Sequence, residues 1–522
     1  MLARHRLEWG TAAVAVVLGV LYLLLPPLGS DLSAQVARAE FFAGHGYTPI
    51  DLRWYAGVDQ LGYSLLSQPV MALLGVRVTG VLALVVAAVL LAVLFRRTAA
   101  PRPWLGAAAG VVCVAGNLVS GRVTYALGVA LGLGALTLLT FRRVRWLAAV
   151  AALAAGATSP VAGLFVGLAG AALLLSGRMV DGLLVAVPAA VPLGLTALLF
   201  GDGGWMNISH NDTLRAVLAS LAVAVLVPRR TVRIGALLSA VGVLAAALVH
   251  TPVGLNATRL SVMFTLPLLA AYATAPRLRR GPPVGVHEET GRSEPPLWAV
   301  AALLVVACWW QPPVLTGDLR DLGNPTADRA YFAPLLARLG QETLTGRVEI
   351  PPTRDYWESA HLADVPLARG WLRQADIDRN PLFFNDIPGA SGTGVALTAD
   401  SYRAWLADLA VQFVAVPDAE LSWSGRPEAA LVTAGLPDLT QIWQGDHWRL
   451  YRVADPQPIV AAPATLVSQD ATSVTFRAES SGNVVVRVRY YSFLTAAGAV
   501  VERSGPWTLV RVPAPGRYTV TS

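Results

Sequence analysis

Asp31 is the residue of this chain best placed to do chemistry. It directly follows the first long apolar run, Trp9 to Leu25, whose basic flank, Arg4 and Arg6, lies only on the N-terminal side. Charge beside hydrocarbon is costly and tends to be kept for function. A fixed carboxylate within hydrogen-bond reach can take the proton of an attacking hydroxyl, and desolvation near a membrane strengthens it as a base. The competing role is structural. Residues Asp31 to Ala43 carry a helical period that Gly44 and Gly46 end, and Ser30 or Asp31 can cap such a helix, which lies along the outer surface. Glu40 and Asp51 are further candidates for the base, although Asp51 serves equally as a turn acid or as a partner for Arg53.

The elements that must position these residues are membrane spans. The chain has 522 residues, of which 55% are hydrophobic and 14% charged, against roughly 25% charged in a soluble domain. Its formal charge is +7, with every Lys/Arg position filled by Arg. These arginines cluster in short connections between apolar runs, the pattern of cytoplasmic loops, and not in a nucleic-acid-binding stripe. Apolar runs long enough to cross a bilayer fall at 9–27, 69–95, 103–120, 123–141, 146–157, 160–176, 182–200, 213–227, 234–250, 258–275 and 297–311. With about eleven spans, the connections holding Arg4/Arg6, Arg96/Arg97/Arg102, Arg142/Arg143/Arg145, Arg178, Arg229/Arg230/Arg233 and Arg277/Arg279/Arg280 all face the cytoplasm. The run between Arg145 and Arg178 is broken at Thr158-Ser159-Pro160 and reads as a helical hairpin or re-entrant pair with a protein-buried tip. Residues 276–296 read as a flexible linker.

The fold expected is therefore an α-helical polytopic membrane protein, N-terminus in and C-terminus out. Residues 1–311 form the membrane domain. Residues 312–456 mix helix and strand signals and form an extracytoplasmic α/β domain, and 457–522 a small β-sandwich-like domain. Cys113 and Cys308 fall in spans, placed for neither a disulfide nor a metal. In the tail, Trp357, Trp371, Tyr356, Phe383 and Phe384 could stack on sugar rings, though core packing is the commoner role. Glu358 and His361 are too few to claim a metal site.

Several stretches carry a resemblance: Gly29-Ser30-Asp31 after the first run; Trp54-Tyr55-Ala56-Gly57 with Gly62-Tyr63; Gly121-Arg122-Val123-Thr124-Tyr125-Ala126-Leu127-Gly128; Ser159-Pro160-Val161-Ala162-Gly163; and Thr251-Pro252-Val253-Gly254-Leu255-Asn256-Ala257-Thr258-Arg259. Together they resemble GT-C membrane glycosyltransferases, and within them the bacterial branch labelled 6-pyruvoyl-tetrahydropterin-synthase-related membrane protein, a label that carries no pterin chemistry here. The resemblance covers roughly 10–311. It implies a multi-pass protein of the bacterial plasma membrane. Such a protein moves a sugar, with inversion, from a polyprenyl-phosphate donor to an envelope glycan or glycolipid acceptor. Asp31 would be the base, and Arg122, Arg259 and Arg53 candidates for the donor phosphate, since Arg binds phosphate through its fork. Trp54, Tyr55 and Gln68 would be substrate contacts. Only one acid directly follows the span, where many members carry two, so a divalent cation stays open. The alternatives are a transporter or lipid-linked glycan flippase, against which the nearly charge-free span centres weigh, and a non-catalytic envelope scaffold.

Overall fold

The computed structural model of the protein describes residues 5–201, 204–276 and 292–522. Arg4, Arg277, Arg279, Arg280 and most of the linker expected at 276–296 lie outside the described residues. The apolar runs form helices α1 (Arg6–Leu24), α4 (Val76–Arg97), α5 (Pro103–Val119), α6 (Val123–Leu138), α7 (Leu147–Thr158), α8 (Pro160–Leu175), α9 (Met179–Leu199), α10 (His210–Leu226), α11 (Arg230–Leu248), α12 (Arg259–Tyr272) and α13 (Leu297–Trp310). Two shorter helices, α2 (Leu32–His45) and α3 (Ser67–Leu74), lie between α1 and α4. The run expected to be continuous over 69–95 is broken at Gly75, whose φ of +82° ends α3 before α4 starts. By length and composition, α1, α4, α9 and α11 can each cross a bilayer, while α5, α6, α7, α8 and α13 are shorter apolar helices. Large apolar side chains such as Leu24, Leu198, Leu248 and Trp309 point outward from this bundle.

Close packing inside the bundle depends on small residues, as in other helix assemblies that lack a hydrophobic driving force. An added Cβ at Gly170 of α8 would lie 2.7 Å from the backbone of Ala186 in α9. The α7–α8 break at Ser159 is a cap. Its hydroxyl accepts from the Ala162 N–H, and Thr158 and Ser159 are buried against the first loop, where Ser64 donates to the Thr158 carbonyl at 2.7 Å.

The C-terminal region carries a four-stranded sheet in the order Arg347–Glu349, Val411–Pro417, Trp448–Val453, Leu439–Gln444. Its first pair is parallel and the others antiparallel. Beyond it, two antiparallel sheets pack around Phe476, Val486, Val510 and Val520. Val484, Val486 and Val488 alternate inward along one strand, as the period of two requires.

The first loop does not lie free on a surface. Helix α2 buries Leu32, Ser33, Ala34, Gln35, Ala37, Arg38, Ala39 and Phe41, so it is a packed layer and not the helix lying along the outer surface that the sequence predicts. Residues after it thread into the C-terminal region. The Leu52 N–H donates to Ala471, Leu367 donates to Arg53, and Arg489 donates to Ala56, at 2.7–2.8 Å. Trp54 and Tyr55 join Phe332, Trp357 and Trp448 in one apolar core.

Candidate functional site

Two tight turns build the site. Residues 29–32 lead from α1 into α2, and residues 119–122 lead from α5 into α6. Their backbones touch: the Asp31 N–H donates to the Ser120 carbonyl at 3.1 Å. Gly29 has φ +114°, and a Cβ there would sit 2.4 Å from the Val119 oxygen. Gly121 has φ +72°, and a Cβ there would sit 2.6 Å from the Leu32 nitrogen. Only glycine combines this backbone conformation with this approach. The turns are braced from the C-terminal side. Asp318 accepts from the Ser30 N–H at 3.2 Å and from the Ser120 hydroxyl, and Asp321 accepts from the Gly29 N–H at 3.3 Å. Asp355 lies beside Asp321, and burial, then its hydrogen bond to Asp321, pushes its carboxyl up to about 9.

Asp31 thereby faces Arg122 and Arg259. Its Oδ2 accepts from Arg122 Nε at 3.3 Å and from Arg259 Nη2 at 3.2 Å. Its Oδ1 has only a 3.5 Å contact from the Ser30 hydroxyl. Asp31 is the N-cap residue of α2 by position, yet its side chain makes no capping bond. The cap role weighed from the sequence is therefore not what the carboxylate does; the arginines hold it instead. All three side chains keep 14–19% of their surface, unlike a sealed ion pair. Gln35 of α2 ties the site to α6, accepting from the Thr124 N–H and hydroxyl at 3.2 and 2.6 Å while donating to Tyr63 at 2.7 Å.

Beneath this ion cluster lies an apolar cavity of about 350 Å³ between α4, α6, α8, α10, α11 and α12. Tyr125, Leu260 and Ser261 line one end, each within a turn of Arg122 or Arg259; Thr98, Thr140, Arg178 and Thr231 line the other. From Tyr125 to Leu136 the lining follows α6 for about 17 Å at 1.5 Å per residue. The arrangement offers a paired cationic mouth, one carboxylate, and an apolar channel running a little over half the thickness of a bilayer core.

The other residues singled out from the sequence lie elsewhere. Asp51 is fully buried and chelated by Arg53, with Nη2–Oδ2 at 2.7 Å, and by Gln60 at 2.9 Å. Neither Asp51 as base nor Arg53 as phosphate ligand can meet a substrate there, because each neutralises the other inside the core. Glu40 is an exposed partner of Arg329, remote in role from any mouth. Trp54 and Tyr55 pack on Gly370, Tyr55 donating to its carbonyl, and Gln68 donates to the Gln60 carbonyl at 3.0 Å; all three are core residues and not substrate contacts. Of the tail aromatics, Trp357, Tyr356, Phe383 and Phe384 are buried, while Trp371 is half-buried and donates from its indole to the Ser30 carbonyl at 3.2 Å. Glu358 bonds Thr353, and His361 stacks on Trp357 with ring centroids 5.0 Å apart. Burial pushes the His361 ring down to about 4.

A divalent cation does not fit beside Asp31, since two guanidiniums already surround its carboxylate and repel a second positive charge. Among the described residues no group of three or more His, Cys, Asp or Glu side chains is arranged to hold a metal ion. Reading the sequence alone missed Tyr125, Gln35, Tyr63 and the Asp318–Asp321 brace. The i, i+3 spacing of Arg122 and Tyr125 was the available signal, since it puts both on one helix face; nothing local pointed to the brace.

No protein-family model matches the sequence, and no curated protein matches it. The chain is similar to the solved structure of the arabinofuranosyltransferase AftD from mycobacteria, with 16% identity and a TM-score of 0.46 over 91% of this chain and 41% of that one. A mutant form of the same enzyme gives 17% identity and a TM-score of 0.46 over 87% and 42%. The chain thus spans less than half the length of that enzyme.

Proposed function

We propose that this protein is a membrane glycosyltransferase of the GT-C type. It takes a sugar from a polyprenyl-phosphate donor at the outer face of a bacterial plasma membrane and passes it to an envelope glycan or glycolipid. The observation that carries this reading is Asp31 set between Arg122 and Arg259 at one end of the apolar cavity along α6. In it the isoprenoid chain lies in the cavity and its phosphate meets the arginines, whose forks suit phosphate oxygens. The orientation that goes with it is N-terminus in, with the C-terminal region on the outer side beside the site.

The chemistry is one displacement. The acceptor hydroxyl attacks the anomeric carbon, and its proton passes to Asp31 Oδ1, the oxygen that no arginine engages. The bond from that carbon to the phosphate oxygen breaks on the opposite face. The phosphate leaves with the electron pair, and its added negative charge is held by Arg122 and Arg259. A single displacement inverts the anomeric centre. The arriving phosphate also competes with Asp31 for the guanidiniums, so donor binding frees the carboxylate to act.

The test is transfer by the purified protein in lipid nanodiscs, supplied with a radiolabelled polyprenyl-phosphate sugar and a cell-envelope lipid fraction as acceptor. Release of polyprenyl phosphate with labelled product, abolished by Asp31→Asn, is the expected result. Movement of intact donor between leaflets without cleavage would make the protein a flippase, and neither event would leave a scaffold.

A further inference from the structure

The Tyr125 hydroxyl is buried, with the residue only 3% exposed, and has no hydrogen-bond partner among the described residues. Buried polar groups are nearly always bonded, so an orphan needs a reason. Tyr125 lines the apolar cavity at the end nearest Asp31. It shares the first turn and face of α6 with Arg122. The Arg259 guanidinium lies 5.4 Å from its ring centroid, and Phe165 packs edge-on at 6.2 Å, fixing the ring. A phenol donates one strong hydrogen bond, and none of the hydroxyls lining the cavity, Ser261 at the same end included, lies in hydrogen-bond geometry with it. The acceptor must therefore come with whatever enters the cavity, and two guanidiniums beside it select for an anion.

We infer that Tyr125 is a third binding residue for the lipid phosphate, donating from below to an oxygen that Arg122 and Arg259 hold from above. This rests on the donor reading given above and deepens it. It sets the headgroup at the cavity rim, within one helical turn of Arg122, and distinguishes a lipid phosphate from a lipid alcohol of the same length. The chain of the lipid then runs down α6 past Val129 and Leu133.

The experiment compares geranylgeranyl phosphate with geranylgeraniol, bound to the full-length protein in nanodiscs and followed by calorimetry. The wild type should prefer the phosphate. Tyr125→Phe, which keeps the ring against Phe165, should weaken the phosphate by about ten-fold or more, the worth of a hydrogen bond to a charged group, and leave the alcohol unchanged. Arg259→Ala serves as the positive control, and thermal melting confirms that each variant is folded. If Tyr125→Phe binds the phosphate as the wild type does while Arg259→Ala loses it, the role of Tyr125 is overturned and the donor reading stands. If the wild type binds both lipids equally, the lipid-phosphate site falls and the role of Tyr125 with it.

Discussion

Two arginine-centred charge clusters in this molecule differ in sign and in access. At the mouth, two guanidiniums face the single carboxylate of Asp31 and all three keep some contact with solvent. In the C-terminal region, Arg369 alone faces three acids: Asp376 at 2.9 Å, Glu428 at 2.9 Å and Glu349 at 3.8 Å, every member essentially sealed. Tyr402 donates to Glu428 at 3.0 Å and Asn380 to Asp376 at 2.8 Å. Burial, then the neighbouring carboxylate of Glu428, pushes Glu349 well above the usual range, and burial pushes Glu428 up to about 7, so the pair holds a proton between them. The sealed cluster lowers its surplus negative charge internally by protonation. The open one sets two guanidiniums against a single contacting carboxylate. On the proposed function, that contrast separates a structural knot from a binding site more sharply than burial or composition does.

Substitutions at the two clusters should therefore have opposite signatures. The largest effect is expected at Asp31: Asp31→Asn should cut the transfer rate by about 10²–10⁴-fold, the usual worth of a positioned base, and barely shift the melting temperature. Rates and melting curves on the same preparation decide it. Arg369→Ala should do the reverse, destabilising the C-terminal region by about 3–5 kcal/mol because it strands buried carboxylates. Denaturant titration followed by tryptophan emission reads this, and a loss under about 1 kcal/mol would erase the distinction between the two clusters.

A smaller effect belongs to the brace between the two regions. The Asp355 carboxyl, ordinarily near 3.8, is raised to about 9 in the fold. Between those values the native state keeps a proton that the unfolded chain has released, so this contribution is complete below about pH 4 and fades as pH rises toward about 9. Glu358, pushed up to about 7 by burial, slopes the same way. His361, held down at about 4 from 6.5 by burial, slopes oppositely, adding stability as pH rises from 4 to 6.5. Asp355→Asn should flatten the decline in melting temperature from pH 5 to pH 9. An unchanged profile would mean that Asp355 is ionised in the brace. The smallest effect is at Glu40. Its exposed pair with Arg329 predicts that Glu40→Gln costs under about 1 kcal/mol and leaves transfer intact, which the same two assays measure.

The helices were readable because apolar runs and the residues that break them are local signals, and each run became a helix except that over 69–95, which became two. So were the strands at Val411–Pro417 and Trp448–Val453, whose β-branched and aromatic residues are local too. Asp31, Arg122 and Arg259 could be singled out because a charge at the end of an apolar run is conspicuous, although the sequence gives no sign that the three meet. Asp51, Arg53, Trp54, Tyr55 and Gln68 misled for a physical reason. Polar and aromatic residues in a loop look alike whether they face a ligand or fill a core, and what decides is a partner far along the chain, as Gly370 is for Trp54. Tyr125 was hidden by its neighbours. In an apolar run a tyrosine reads as one more hydrophobe until its hydroxyl is found unmatched.

The threading of the first loop into the C-terminal region has a consequence for biogenesis. Tyr55 is synthesised 315 residues before Gly370, whose carbonyl takes its hydroxyl. Throughout that interval Trp54, Tyr55 and Ile50 have no seat, so a nascent chain must keep a sticky segment from aggregating until its receptacle is made. A fragment comprising the tail alone would show the mirror-image defect, an unfilled slot in its interior, and recombinant production of that part for crystallography calls for co-expression or fusion with residues 46–66.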